Sequence, residues 1–178
     1  MRDFLPADAQ QVDALGIAAF EQYKDFYNDW PALRERIATL SSLAEYGEII
    51  VVEADGRIVG SVAYLGPGKP KSPFYNPEWA VMRMLVVSPA MQGRGIGRML
   101  ADESIRRAVR DKAGLFALHT SEMMTVALPM YLRMGFVWHA NAPTTYGVSY
   151  AVYTKSLSAT ASSDLSALEV TPQQMPPP

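Results

Sequence analysis

The sequence predicts a mixed α/β domain, a central sheet of about seven strands with about four helices packed on it. The first observation behind this is the run Met82-Arg83-Met84-Leu85-Val86-Val87-Ser88-Pro89-Ala90-Met91-Gln92-Gly93-Arg94-Gly95-Ile96-Gly97. It is an apolar strand that meets a proline stop, a glycine-rich turn and the start of a helix. The second is a pair of apolar segments, Glu48–Glu53 and Ile58–Leu65, joined by Ala54-Asp55-Gly56-Arg57, where Asp-Gly signals a two-residue hairpin turn. The third is the alternation of strand-period and helix-period segments along the chain, with no internal repeat.

Arg2–Leu5 reads as a short first strand stopped by Pro6. Asp8 caps a helix running to about Tyr23, with Val12, Leu15, Ala19 and Phe20 on one face. Asn28-Asp29-Trp30-Pro31 breaks the chain, and a second helix runs to about Ala44 on Leu33, Ile37 and Leu40. After the hairpin comes a Gly/Pro/Lys loop, 66–77, long enough to point to function rather than connection. Trp79–Val87 is apolar on both alternating faces except at Arg83, the mark of a central strand covered on both sides. An arginine there needs an ion-pair partner, expected to be Glu78 or Glu48, or else it reaches an opening and holds an acidic substrate group. Ile96–Ala113 is a helix on Ile96, Leu100, Ile105 and Ala108, and Leu115–Thr120 is another buried strand. A short helix around Tyr131 follows, and Phe136–Trp138 pairs with Tyr150–Thr154 across the loop 140–147. Residues 1–157 thus make one domain. Residues 158–178 read as a low-complexity tail, either mobile or docked through the apolar positions of 164–170 on the domain or on a second subunit, as in a homodimer.

Composition narrows the chemistry. The chain has 178 residues, a net charge of −2 and no cysteine. Disulfides, thiolate metal sites and acyl-cysteine intermediates are thereby excluded. Its two histidines, His119 and His139, stand at no recognised metal spacing, so no metal is expected. The overall charge argues against bulk nucleic-acid binding. No apolar run is long enough to span a membrane, and Asp3, Asp8 and Asp13 interrupt any signal-peptide pattern, so a cytoplasmic protein is the expectation. Locally the charge reverses: between 83 and 112 seven basic residues face three acidic ones. Helical pairs such as Asp102–Arg106 and Glu103–Arg107 account for much of this, but not for Arg94 and Arg98 beside the glycines.

A strand that feeds a glycine-rich turn into a helix directs free backbone N–H groups and the positive end of the helix dipole at one point, an arrangement that binds phosphate. A Walker loop is ruled out because Gly97 is followed by Arg98-Met99 rather than Lys and Ser or Thr. A dinucleotide fingerprint is ruled out because Gly93, Gly95 and Gly97 are spaced by two throughout. What remains is Gln92-x-x-Gly95-x-Gly97 after a strand ending in Leu85-x-Val87-x-Pro89. It resembles the pyrophosphate loop of the GNAT N-acyltransferase superfamily. Ala127-Leu128-Pro129-Met130-Tyr131-Leu132-Arg133-Met134-Gly135-Phe136 is similar to that family's other signature, a short helix carrying Ala, then Tyr four residues on, then Gly-Phe opening a strand.

The resemblance implies a sheet splayed between its fourth and fifth strands, with acetyl-CoA as cosubstrate in the wedge. Main-chain groups of Leu85, Val86 and Val87 would pair with the pantetheine, and Gln92, Gly93, Arg94, Gly95, Ile96, Gly97 and Arg98 would surround the pyrophosphate. Arg133 matches a basic position that meets the adenosine 3′-phosphate in some relatives. The implied activity is direct acetyl transfer to a primary amine of a small molecule or peptide. A strand N–H would stabilise the oxyanion, and Tyr131 would protonate the departing thiolate. The general base is open: many relatives carry Glu where this chain has Val81, which leaves Glu78, His119 or a water chain. Relatives often have Asn where this chain has Met124. These two departures sustain an alternative, a coenzyme-A-binding sensor with weak catalysis. The acceptor pocket is expected among Tyr27, Trp30, Phe74 and Tyr75.

Overall fold

Asp55 and Gly56 both take positive φ, 50° and 72°, the backbone of a two-residue turn whose twist suits the strands it joins. In the computed structural model, which describes residues 1–157, this turn links β2 (Glu48–Ala54) to β3 (Arg57–Leu65), with Ala54 opposite Arg57. β1 (Arg2–Asp3) pairs antiparallel with β2, and β4 (Ala80–Val87) with β3. β5 (Leu115–Thr120) runs parallel to β4, and β6 (Val137–Thr145) and β7 (Val148–Ser156) close a seven-stranded sheet of order β1-β2-β3-β4-β5-β7-β6. The mixed α/β fold read from the sequence is the fold observed. The proposed docking segment 164–170 lies outside the described residues.

Strand alternation sorts the core into two sides. α1 (Ala9–Phe20) and α2 (Trp30–Ile37) cover one face, where Val12, Leu15 and Ala19 pack on Ile49, Val51, Ala63 and Val86. α3 (Ile96–Arg110) and α4 (Ala127–Arg133) cover the other, where Ile96, Leu100, Ala101 and Tyr131 join Ile50, Val62, Met82 and Phe116. Among the described residues no helix is long and apolar enough to cross a membrane.

Three boundaries differ from the sequence reading. α1 stops at Phe20 and tightens into a 3-10 helix over Glu21–Phe26, while α2 stops at Ile37 and a separate 3-10 helix covers Leu40–Glu45. The second break has a visible cause: the Asp13 carboxylate of α1 accepts from Ser41 N–H at 2.7 Å and Ser41 Oγ at 2.9 Å. Thr39 and Ser42 donate their hydroxyls to backbone carbonyls three residues back, in competition with a continuous helix. The third difference is β6, which continues through Pro143 instead of giving way to a loop. As an edge strand it tolerates proline, with register shifts at Trp138/Ala140 and Ala142/Thr145. Tyr146 and Gly147, at φ 46° and 83°, make its turn into β7.

α3 is tied to the sheet edge by charge. Arg107, buried at 6 % exposure, pairs with Glu103 at 3.0 Å and also with Asp3 and Glu48. Glu48 also takes Arg110 at 2.5 Å, and Glu103 takes Arg106 at 2.6 Å. Glu48 is therefore engaged by Arg107 and Arg110 and not by Arg83. Hydrogen bonds from Arg106 and Arg107 hold the Glu103 carboxyl at about 2, below its ordinary 4.5. A depressed carboxylate adds stability that is fully present above about pH 5 and is lost as pH falls toward 2. Scanning calorimetry should accordingly show wild type losing more of its melting temperature over that interval than Glu103→Gln; parallel curves would contradict the assignment.

Candidate active site

β4 is regular only as far as Arg83. Met84 then takes a φ of 51°, and the ladder to β3 passes from Ala63–Arg83 to Ser61–Val86, so that Val62 faces both Met84 and Leu85. This is a β-bulge carried by a non-glycine residue in left-handed backbone, a conformation that costs energy and bends the strand. Its effect on side chains is direct. Ala80 and Met82 face α3, Leu85 and Val87 do so again, and Arg83 and Met84 both turn toward α2. Next to the bulge the sheet opens. β4 and β5 are paired only at Ala80–Phe116 and Val81–Ala117, and the β5-facing edge of Leu85–Val87 is left without a strand neighbour.

A cavity of about 350 Å³ occupies this opening. Its walls include Leu85, Val86 and Val87 from β4, Gln92, Gly93, Gly95, Ile96, Gly97 and Arg98 from the turn and α3, and Met130 and Arg133 from α4. Gly95 caps α3 at φ 79° with no side-chain partner for the helix N-terminus, so the first N–H groups of α3 have no intrahelical acceptor. Gly97 serves differently. Its φ is ordinary, and an added Cβ would stand 3.6 Å from Leu85, 3.7 Å from Val87 and 3.8 Å from Met130, so any longer side chain there would extend among the cavity walls. Unpaired amides, the positive helix end and the Arg98 and Arg133 cations suit a phosphorylated ligand. Arg94 is exposed and does not line the cavity. Arg98 lines it while pairing with Asp102 at 2.8 Å, so Asp102 takes Arg98 rather than the expected Arg106.

Tyr131 follows Met130 on α4, 6 % exposed, its ring edge-on to Phe136 at 5.9 Å in the core beside the cavity rather than in its lining. Burial pushes its phenol well above the ordinary value, so the proton is held throughout the neutral range. Other tyrosine hydroxyls are committed: Tyr27 to Tyr150, Tyr64 to Asp111 and Tyr75 to His119. That of Tyr131 has no hydrogen-bond partner among the described residues.

His119 lies near the end of β5, past the point where β4 and β5 part. Its Nδ1 is 2.7 Å from the Tyr75 hydroxyl, and the rings of Phe74 and Tyr150 stand 5.6 and 5.5 Å away. Burial, then the charges of Arg83 and Arg36, bring it down to about 4, which leaves the imidazole neutral. Glu78 is placed elsewhere. It is exposed in the turn before β4, its N–H donating to Asn76 Oδ1 at 2.9 Å, and it does not line the cavity at the N-terminus of α3. The four aromatics expected together fall into two groups, Tyr27 and Trp30 packed with Leu33 and Ile37 of α2 and Val148 and Tyr150 of β7, Phe74 and Tyr75 around His119. Arg36, from a helix face with no motif, was not among the sequence candidates.

Comparison with known proteins agrees with this geometry. The profile described as the Acetyltransferase (GNAT) family matches residues 17–136. An S-alkylcysteine N-acetyltransferase of Bacillus subtilis (strain 168) is 27% identical over 132 residues, 72% of this chain and 73% of that one. A ribosomal-protein-alanine N-acetyltransferase from Brucella melitensis shares the fold at TM-score 0.65 and 21% identity, over 88% of this chain and 98% of its own. So does a GNAT family acetyltransferase from the same organism solved in complex with acetyl-CoA, at TM-score 0.60 and 23% identity, over 89% and 87%. With its family profile spanning the opened sheet, the glycine turn and the tyrosine helix, the chain belongs to the GNAT family of acetyltransferases.

Proposed function

We propose that this acetyltransferase moves the acetyl group of acetyl-CoA directly to the primary amine of a small molecule or peptide. The observation that carries this reading is that the N-terminus of α3 and the unpaired edge of β4 open on one cavity. Amides of α3 and the cations of Arg98 and Arg133 bind phosphates, while the free edge of Leu85–Val87 pairs with an extended amide-bearing chain as a strand would. The Brucella structure holding acetyl-CoA and the N-acetyltransferase name of the Bacillus relative support the same donor and the same bond.

The acceptor enters as the neutral amine. Its nitrogen forms the C–N bond at the thioester carbon, and a β4 amide N–H takes the negative charge that develops on the carbonyl oxygen. The C–S bond breaks, and Tyr131 gives its proton to the sulfur, recovering one from solvent afterwards. The surplus proton on nitrogen leaves by way of His119, whose neutral imidazole is oriented by Tyr75 at Nδ1 and, held near 4, hands the proton on to solvent. No covalent protein intermediate is involved.

A panel of primary amines with acetyl-CoA, followed by thiol release and by mass of the product, tests the reading. Turnover with one N-acetyl product per thiol is expected. Binding of acetyl-CoA without turnover across the panel would replace it with the sensor reading.

A further inference from the structure

A second cavity, about 210 Å³, lies where α2 and the following 3-10 helix cross β4. Leu33, Ile37, Leu40 and Met84 supply its apolar walls, and two cations, Arg36 and Arg83, line it together. No acidic residue lines it, and neither guanidinium has a carboxylate partner among the described residues. The contrast with Arg107 is instructive, since that buried arginine has three carboxylates. Arg83 Nε is sealed from solvent without any acceptor. Burial, and the nearby charge of Arg36, disfavour its charged form. Arg36 itself is exposed, its guanidinium carbon 5.9 Å from the centroid of the Tyr146 ring, so the cost falls on Arg83, whose orphaned donor beside a second cation is something a fold does not need for its own sake.

The backbone adds to that cost. Regular alternation would have sent Met84 to the face opposite Arg83, but the bulge turns both toward α2 at the expense of a left-handed methionine. Arg83 is thereby placed within ~7 Å along the strand of Leu85, where the coenzyme cavity begins. It is also close enough to His119 to act on its charge. On the other side the cavity shares Leu33, Ile37 and Met84 with an apolar cluster that includes Tyr27, Trp30 and Tyr150.

We infer that Arg83 and Arg36 bind the carboxylate of the acceptor, so that the acceptor is an amino acid with an apolar side chain lying against Tyr27, Trp30 and Met84. This rests on the acetyl-transfer reading above and narrows its substrate. A planar guanidinium takes a carboxylate through two parallel hydrogen bonds, and the second arginine offsets the remaining charge. An amine without the carboxylate leaves the buried Arg83 Nε without an acceptor.

The test pairs L-leucine, L-methionine and L-phenylalanine with their own amides as acceptors. The amino acids should exceed the amides in kcat/KM by about 10²-fold, the worth of charge-assisted hydrogen bonds to a buried cation. In Arg83→Met the acid-to-amide ratio should collapse toward one, chiefly through KM for the acids, and Arg83→Lys should restore part of it. Because Arg83 is uncompensated in the free protein, Arg83→Met should also melt no lower than wild type. A structural arginine would show the reverse, and a large fall in melting temperature overturns the inference. Amides accepted as well as acids, or a preference that survives in Arg83→Met/Arg36→Met, overturns it while leaving acetyl transfer in place. Absence of thiol release with every amine, charged or not, overturns both.

Discussion

Tyr131→Phe should lower the rate of acetyl transfer by about 10²–10⁴-fold, the usual contribution of a positioned acid, while coenzyme affinity stays within a few-fold of wild type. The ring packs on Phe136 and belongs to the core beneath α3 and α4, and phenylalanine keeps both contacts. The hydroxyl has no hydrogen-bond partner among the described residues, so its removal orphans nothing. The residues lining the cavity at the N-terminus of α3 are untouched. Single-turnover kinetics is the appropriate measurement, since slow product release would mask the loss in steady state. A Phe variant that binds the coenzyme normally and transfers acetyl at the wild-type rate would remove Tyr131 from the mechanism. Loss of coenzyme binding together with rate would make it a packing residue.

Gly97→Leu should weaken coenzyme binding severely without harming the fold. The position needs no left-handed backbone, and leucine is the better helix former by roughly 1 kcal/mol. Its first carbon makes ordinary contacts with Leu85, Val87 and Met130, and the remainder fills space between the β4 edge and α4. Coenzyme A titrated calorimetrically should bind about 10²-fold more weakly or not at all, while the melting temperature stays level or rises. Unchanged affinity in a folded variant would mean that the cavity is not where the coenzyme lies.

The parts of this site that local patterns encode were legible in the sequence. Glycine spacing after an apolar strand and a proline located the α3 turn, Asp55-Gly56 located the hairpin, and the Ala127–Phe136 string located Tyr131. What escaped was decided at long range. Methionine has no leaning toward positive φ, so nothing at position 84 announced the bulge that redirects Arg83. The break after α2 comes from Asp13 reaching Ser41, and Glu48, a reasonable partner for Arg83 on paper, is taken by Arg107 and Arg110. Arg36 is one charge on a polar helix face in the sequence. Only packing of α2 on β4 brings it into the cavity with Arg83. The loop read over 140–147 is mostly edge strand, whose shifted register absorbs Pro143. Glu78 has the right chemistry for a base but belongs to an exposed turn held by Asn76.

The location of the acetyl donor underlies every role assigned here, and amide NMR of the protein titrated with coenzyme A tests it most directly. The predicted result is that the largest shifts fall on the N–H groups of Leu85, Val86 and Val87 and of Gly93 to Arg98, with smaller ones on Tyr131 and Arg133. Leu40 and Ser42, which line the second cavity, should hardly move. Shifts confined to that second cavity, or none at saturating coenzyme, would contradict the account.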